Sequence, residues 1–190
     1  MAPLINPLYL GVEVQQHMRG YFASQKPRRL LLPDFFTKKQ YGVLLKQLST
    51  QKGALRHEAE RFSFQELVLP QELKLCLTSA QFKGFLSTVL NKPVRKIALS
   101  ARRFEHASYT LLHDNVPAGQ ASFFIIFGNG WDSSWGGSTV YFGGGEPLIF
   151  APVLNSFSLV HPGKDMRAFV KYVTHFVGKK SFVKVEGILS

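Results

Sequence analysis

The sequence has one cysteine, Cys76, in 190 residues. It therefore holds no disulfide framework and no cysteine-based zinc site. A chain of this kind is expected in a reducing intracellular compartment, cytoplasmic or nuclear. No apolar run reaches the roughly 18 residues needed to cross a bilayer, so no membrane partner is expected. The opening stretch MAPLINPLYLGVEV lacks the basic n-region and small-residue cleavage pattern of a secretory signal. Internal repeats, low-complexity tracts and linker-like stretches are also missing, which points to a single domain over 1–190. Acidic residues are scarce, with 12 Asp+Glu against 23 Lys+Arg and a net charge of +11.

What is present is apolar and aromatic. Hydrophobic residues make up 45% of the chain and there are 17 Phe, enough for a substantial core. The basic surplus falls in pairs. Arg28-Arg29, Arg102-Arg103 and Lys179-Lys180 are candidate polyanion-binding residues, and they raise RNA or a ribosome as a partner. Solubility alone explains the same surplus equally well, because charge attracts phosphate without identifying it.

Periodicity divides the chain. Residues 1–30 read as an irregular extension ending in KPRR. LLPDFFTKKQYGVLLKQLST reads as a helix with Asp34 or Thr37 as its cap, since Tyr41, Leu44, Leu45 and Leu48 recur at helical spacing. RFSFQELVL alternates as a strand does. Pro70 then opens one or two helices through Leu90, completing a helical layer over 31–92. Cys76 takes an apolar position there, as a core residue does. From Pro93 to about residue 188 the period is two, in closely spaced segments broken by Gly, Pro and Asn. The fold class is mainly β with N-terminal helices: a double-stranded β-helix, a jelly-roll or cupin-like barrel with helices packed on one sheet. The triple glycine at 143–145 follows a strand and lacks the helix and Lys of a phosphate loop, so it reads as a hairpin.

The order of pieces from residue 109 onward is SYTLLHDN, then SFFIIFGNGWDSSWGGSTVYF, then PVLNSFSLVHPG, then RAFVKYV. Over roughly residues 31–188 this resembles the prolyl-hydroxylase branch of the iron(II)/2-oxoglutarate oxygenases. It is most similar to the ribosomal prolyl hydroxylases, with a shorter spacing from Tyr109 to His113. The resemblance implies iron(II) and 2-oxoglutarate as cofactors and a protein as substrate or partner. It also implies a pocket rimmed by Tyr109, Trp131, Trp135, Asn155 and Ala168.

Such an enzyme needs two imidazoles and one carboxylate on one side of the iron, leaving positions for cosubstrate and oxygen. It also needs a cation on the far carboxylate of 2-oxoglutarate, best an Arg fork. His113 matches the first histidine. Two residues on, where a strand returns to the same face, stands the amide Asn115 instead of a carboxylate. Asp114 points to the other face unless the strand bulges there. The Val170 and Val173 match puts Ala168 where the second histidine belongs. No Arg follows Arg167, leaving Lys180 or Lys184 for the cosubstrate. An alternative set uses His161 as the second ligand and Arg167 as the clamp. On one continuous strand their six-residue offset spans roughly 20 Å, although a turn at Pro162-Gly163 shortens it.

The expectation is a prolyl-hydroxylase-like fold with an eroded catalytic site, acting as a basic binding module. One alternative is an active iron(II)/2-oxoglutarate protein hydroxylase using His113, Asp114 or Asn115, and His161. Another is an RNA- or ribosome-associated binding protein.

Overall fold

The computed structural model describes residues 4–113, 120–143 and 145–190. The chain order is α1 (Val12–Ser24), β1 (Arg28–Leu32), α2 (Lys38–Ser49), β2 (Ala54–Glu58), β3 (Phe62–Leu67), α3 (Gln71–Thr78) and α4 (Ala80–Leu90). There follow β4 (Ile97–Phe104), β5 (Tyr109–His113), β6 (Ser122–Gly128), β7 (Thr139–Phe142), β8 (Leu148–Phe150), β9 (Phe157–His161), β10 (Arg167–Val170) and β11 (Phe182–Leu189). The strands run in space as β1-β9-β6-β11-β4-β3-β5-β10-β7-β8, with β2 added to β3.

This ribbon folds over on β3. Residues 65–67 of β3 pair with β4, while Phe62 and Ser63 pair with β5. One strand thus joins the two halves of the half-barrel. The larger half, around β11 and β6, has two apolar faces, because alternate residues on a strand point opposite ways. Phe123, Ile125, Phe127, Val183 and Val185 belong to a core that includes Leu44, Leu73 and Phe82 of the helices. Phe124, Ile126 and Phe182 belong to a second core inside the barrel, with Tyr141, Ala168 and Val170 from the smaller half. Gly187 permits the close approach of β6, since a Cβ there would lie 2.3 Å from the Phe123 ring.

Several elements depart from the sequence expectations. Residues 1–30 are not an irregular extension. α1 buries Met18 and Phe22 against the helical core, and β1 joins the sheet edge beside β9. With Gly11, Gly20 and few apolar positions, α1 carried a weak periodic signal. The helix expected from Leu31 begins at Lys38, where Thr37 caps it by accepting from the Gln40 N–H. The preceding leucines are strand instead. The layer over 31–92 also contributes β2 and β3 to the sheet. The segment after Pro70 is two helices, parted at Ser79, whose hydroxyl accepts from the Phe82 N–H. β7 and β8 pair as a hairpin. Gly144 lies outside the described residues. No helix among the described residues is long and apolar enough to cross a membrane.

Asn155 ties the barrel to the helical side. It is buried, with φ 55°, and its side chain bonds the Phe36 backbone twice, accepting from N–H and donating to C=O, both at 3.0 Å. Its own carbonyl accepts from the Phe35 N–H at 2.8 Å. Asn tolerates this left-handed backbone better than other side chains. Asn155→Ala leaves both Phe36 groups unmet and adds backbone strain, so a loss of about 3 kcal/mol is expected in denaturant unfolding. A loss below about 1 kcal/mol, the scale of one exposed helix cap, would show that the clip contributes no more than local geometry.

Candidate functional site

The resemblance directs attention to the end of the barrel where β5 finishes. The β5–β10 ladder pairs His113 with Ala168 and Thr110 with Val170. On its other edge Ala168 faces Tyr141 of β7. The residue brought across from His113 is therefore a methyl group. β10 reads Arg-Ala-Phe-Val and offers no imidazole, thiolate or carboxylate. Asp114 and Asn115 lie outside the described residues. Among the described residues no group of three His, Cys, Asp or Glu can hold a metal ion. The donor set that these strands present does not fit the two-histidine, one-carboxylate arrangement of iron(II).

His161 closes β9 opposite Arg28 of β1. It lines a cleft of about 1150 Å³ between β1 and β8. β9 pairs with β1 and β6, and β10 pairs with β5 and β7. The chain turns between His161 and Arg167, so the pair is not on one strand. Arg167 is exposed while its neighbour Ala168 is buried, as alternation requires. Arg167 thus points away from the interior face that Ala168 occupies.

Charge does enter the barrel, through β11. Lys184 is buried, with its ammonium 3.3 Å from Glu186 and 4.7 Å above the Phe124 ring. The other Glu186 oxygen meets Arg102 at 3.5 Å, and Arg102 also lies over Phe64. These three groups share one face because 184 and 186 are two apart on β11 and Lys184 pairs with Arg102 of β4. Burial pulls the Lys184 pKa below its ordinary value, with Glu186 opposing and Arg102 adding to the shift. Tyr141 is fully buried, and its hydroxyl lies 3.5 Å from that of Ser122. Burial and the nearby Glu186 charge raise its pKa.

Lys184 is the one candidate cosubstrate cation found inside the barrel. Lys180 is exposed instead, with its ammonium 4.8 Å over Trp135 and donating to the Gly130 carbonyl. The sequence reading missed Glu186, Tyr141 and Ser122. A signal was there for Glu186: in FVKVEGIL the charged residues fall on one parity of a strand otherwise apolar.

Three other expectations are corrected. Trp131, Trp135 and Tyr109 do not rim the His113 end. Tyr109 starts β5, four residues from His113 and about 13 Å along an extended strand. Val173 N–H donates to the Ser108 carbonyl and Thr174 N–H to the Trp135 carbonyl. The tryptophan turn therefore sits where β5 begins and β10 ends, at the opposite end of the barrel. Asn155 is the buried clip described above, its side chain spent on the Phe36 backbone. The pair Arg102-Arg103 is not one basic patch, because adjacent strand residues face opposite ways. Arg102 enters the barrel. Arg103 crosses to the end of α2 and donates to the Leu48, Ser49 and Gln51 carbonyls, groups that a helix terminus leaves unsatisfied. Arg28, Lys179 and Lys180 remain exposed, and Arg29 is half-buried. Cys76 is half-buried on α3, and burial together with Glu72 pushes its thiol up to about 11, which makes it a poor nucleophile at neutral pH.

The same architecture occurs in solved structures. A 2OG-Fe(II) oxygenase family oxidoreductase from Burkholderia pseudomallei matches with a TM-score of 0.69 at 15% identity, over 93% of this chain and 90% of that one. A Pseudomonas putida prolyl-4-hydroxylase matches at 0.68 and 12% identity, over 92% and 97%. A Trichoplax adhaerens prolyl hydroxylase, solved with a hypoxia inducible factor oxygen degradation domain peptide fragment, matches at 0.71 and 11% identity, over 94% and 91%. The chain has the jelly-roll fold that these 2OG-Fe(II) oxygenases share. In sequence it is 38% identical over 79 residues to prolyl 3-hydroxylase OGFOD1 of Mus musculus, across 39% of this chain and 14% of that protein. No family model matches.

The interior charges generate a stability test. Glu186→Gln leaves Lys184 and Arg102 as like charges without their shared carboxylate, and about 3 kcal/mol should be lost in denaturant unfolding. The double change Lys184→Met with Glu186→Leu removes both partners and should recover most of that loss. The pH dependence has a defined sign. A lowered folded pKa means the unfolded chain binds more protons between the folded value and the ordinary 10.5. Wild-type stability relative to Lys184→Met should therefore rise with pH through that window. A flat difference would place the Lys184 charge in water.

Proposed function

We propose that this chain is an oxygenase-fold protein whose iron site has eroded and which acts as a basic binding module. The observation that supports this reading is the β5–β10 register, which sets Ala168 across from His113. A two-histidine site needs its second imidazole on a neighbouring element, and β10 carries none.

The interior cation supports the same reading. A dicarboxylate such as 2-oxoglutarate needs a cation whose charge is available to it. Lys184 is already countered by Glu186 at 3.3 Å, and an incoming carboxylate at Lys184 would sit against that anion. An ammonium is also a point charge and does not reproduce the two-pronged Arg fork. The net charge of +11 and the exposed basic side chains then describe what the scaffold presents to a partner.

Anaerobic iron(II) titration tests this. The wild type should bind no iron tightly, and Asn115→Asp should not change that, because the facial set would still lack a member. Asn115→Asp with Ala168→His should supply three protein ligands and give measurable affinity, with slow 2-oxoglutarate turnover for want of an Arg clamp. A chelator should leave the wild-type melting temperature unchanged. Tight one-to-one binding by the wild type, or a rise of several degrees with iron, would overturn the erosion reading. Tight binding by Asn115→Asp alone would assign a ligand role to Asp114 or His161.

A further inference from the structure

We infer that the end of the barrel carrying the two tryptophans is a binding platform for single-stranded RNA. This rests on the binding-module reading and gives that module a surface and a ligand.

The platform is built from three turns. Trp131 precedes and Trp135 ends the 3₁₀ turn Ser133–Trp135, with ring centroids 5.6 Å apart. Trp131 rests edge-on against Phe182 at 4.7 Å, which anchors the turn to the barrel core. Gly136, at φ 91°, lets the turn reach the neighbouring coil, since a Cβ there would lie 2.0 Å from the Tyr172 carbonyl oxygen. That coil carries Tyr172, which stacks at 6.3 Å on Tyr109 and is 51% exposed. One turn further, Phe176 is 69% exposed and its ring lies 4.1 Å from that of His175. Backbone bonds knit these pieces together: Gly137 N–H to the Lys171 carbonyl, Thr174 N–H to the Trp135 carbonyl, and Ala107 N–H to the Val173 carbonyl.

Trp131 and Trp135 are half-buried and pack against the barrel core of Val173, Val177 and Phe182, while Tyr172 and Phe176 stand exposed beside them. Cations are interleaved with them. Lys171, Lys179 and Lys180 are exposed on the same coil and turn, and Lys180 lies over Trp135. Aromatic faces held on a rigid scaffold and bordered by lysines are what unpaired bases and their phosphates require. A duplex hides its base faces, so rings of this kind favour a single strand. Two carboxylates lie nearby and keep their charge, against the three lysines, and each is held by a local hydrogen bond. Asp132 accepts from the Ser134 N–H at 2.8 Å, and Glu105 accepts from Gln65 at 2.6 Å. Ser133 is exposed in the same turn as Trp135, and its hydroxyl offers a partner to a ribose 2′-hydroxyl, which is the ground for RNA over DNA.

The two tryptophans are the only ones in the chain, so intrinsic fluorescence reads this surface directly. Titrating the full chain with a twelve-nucleotide oligo(U) should quench it saturably. Affinity should fall with salt at a log–log slope of about −2 if three lysines meet phosphates. Tyr172→Ala and Phe176→Ala change exposed rings and should each weaken oligo(U) binding about tenfold. Heparin binding, which needs no stacking, should keep its affinity in both. The inference is overturned by absence of quenching at low salt, by tight binding unaffected in both ring variants, or by equal affinity for duplex RNA. Equal affinity for oligo(dT) would overturn the choice of RNA. The iron titration separates the two readings. Tight iron binding with intact oligo(U) binding would refute erosion and leave the platform standing. Neither iron nor oligo(U) binding would refute the platform alone.

Discussion

A strand buried on both faces must serve two cores at once, and β11, like its neighbour β6, does so here. Val183 and Val185 pack toward the helices while Phe182 faces the barrel interior. β11 pairs along nearly its whole length with β4 on one side and β6 on the other. Any slip of register by one residue would send Lys184 and Glu186 into the helical core and expose the valines to the barrel. The apolar set on one parity and the charged set on the other therefore fix where every neighbouring strand can lie. The helical layer and the barrel interior both take their places from this alternation.

The same alternation decides which candidate residues can act together. Arg102 and Arg103 part company on β4, one into the barrel and one onto the carbonyl end of α2. Ala168 takes the interior position on β10, and Arg167 takes the outer one. Lys184 enters the barrel only because a carboxylate two residues later enters with it. Unpaired, the ammonium would face the full desolvation cost of a dry interior; paired, it forms a small network with net charge +1 among Arg102, Lys184 and Glu186. That network supplies a counter-charge to a lysine held inside the fold.

Much of this was legible in the sequence. The period of two after Pro93, the two helices after Pro70, and the order of motifs from Tyr109 onward were enough for the jelly-roll fold and its helical layer. The match at Val170 and Val173 was enough to align Ala168 with His113. The failures have physical sources. α1 and β1 are short on apolar periodicity because each is held by contacts far away in sequence. Asn155 read as a rim residue, since nothing local shows that its amide bonds a backbone 119 residues distant. The tryptophan turn was put at the pocket mouth on the strength of the resemblance, whereas the backbone bonds from Thr174 and Val173 set it where β5 begins. The basic pairs were read as units, although a strand separates neighbours onto opposite faces.

The two ends of the barrel thus carry different constraints. At the His113 end, metal chemistry would demand particular ligands at particular register positions, and Ala168 on β10 supplies none. At the tryptophan end, the demands are softer: rings held by Phe182 and by the backbone bonds of Thr174 and Gly137, with lysines around them. Stacking and charge attraction tolerate substitution far better than metal ligation does, because each contact contributes on its own and does not depend on completing a fixed set. The packing that supports the rings is centred on β11 and does not depend on the residues at the His113 end. Phe182 stacks on Phe104 at 5.2 Å and receives Trp131 edge-on, so the aromatic end is anchored in the interior core whatever happens beside Ala168.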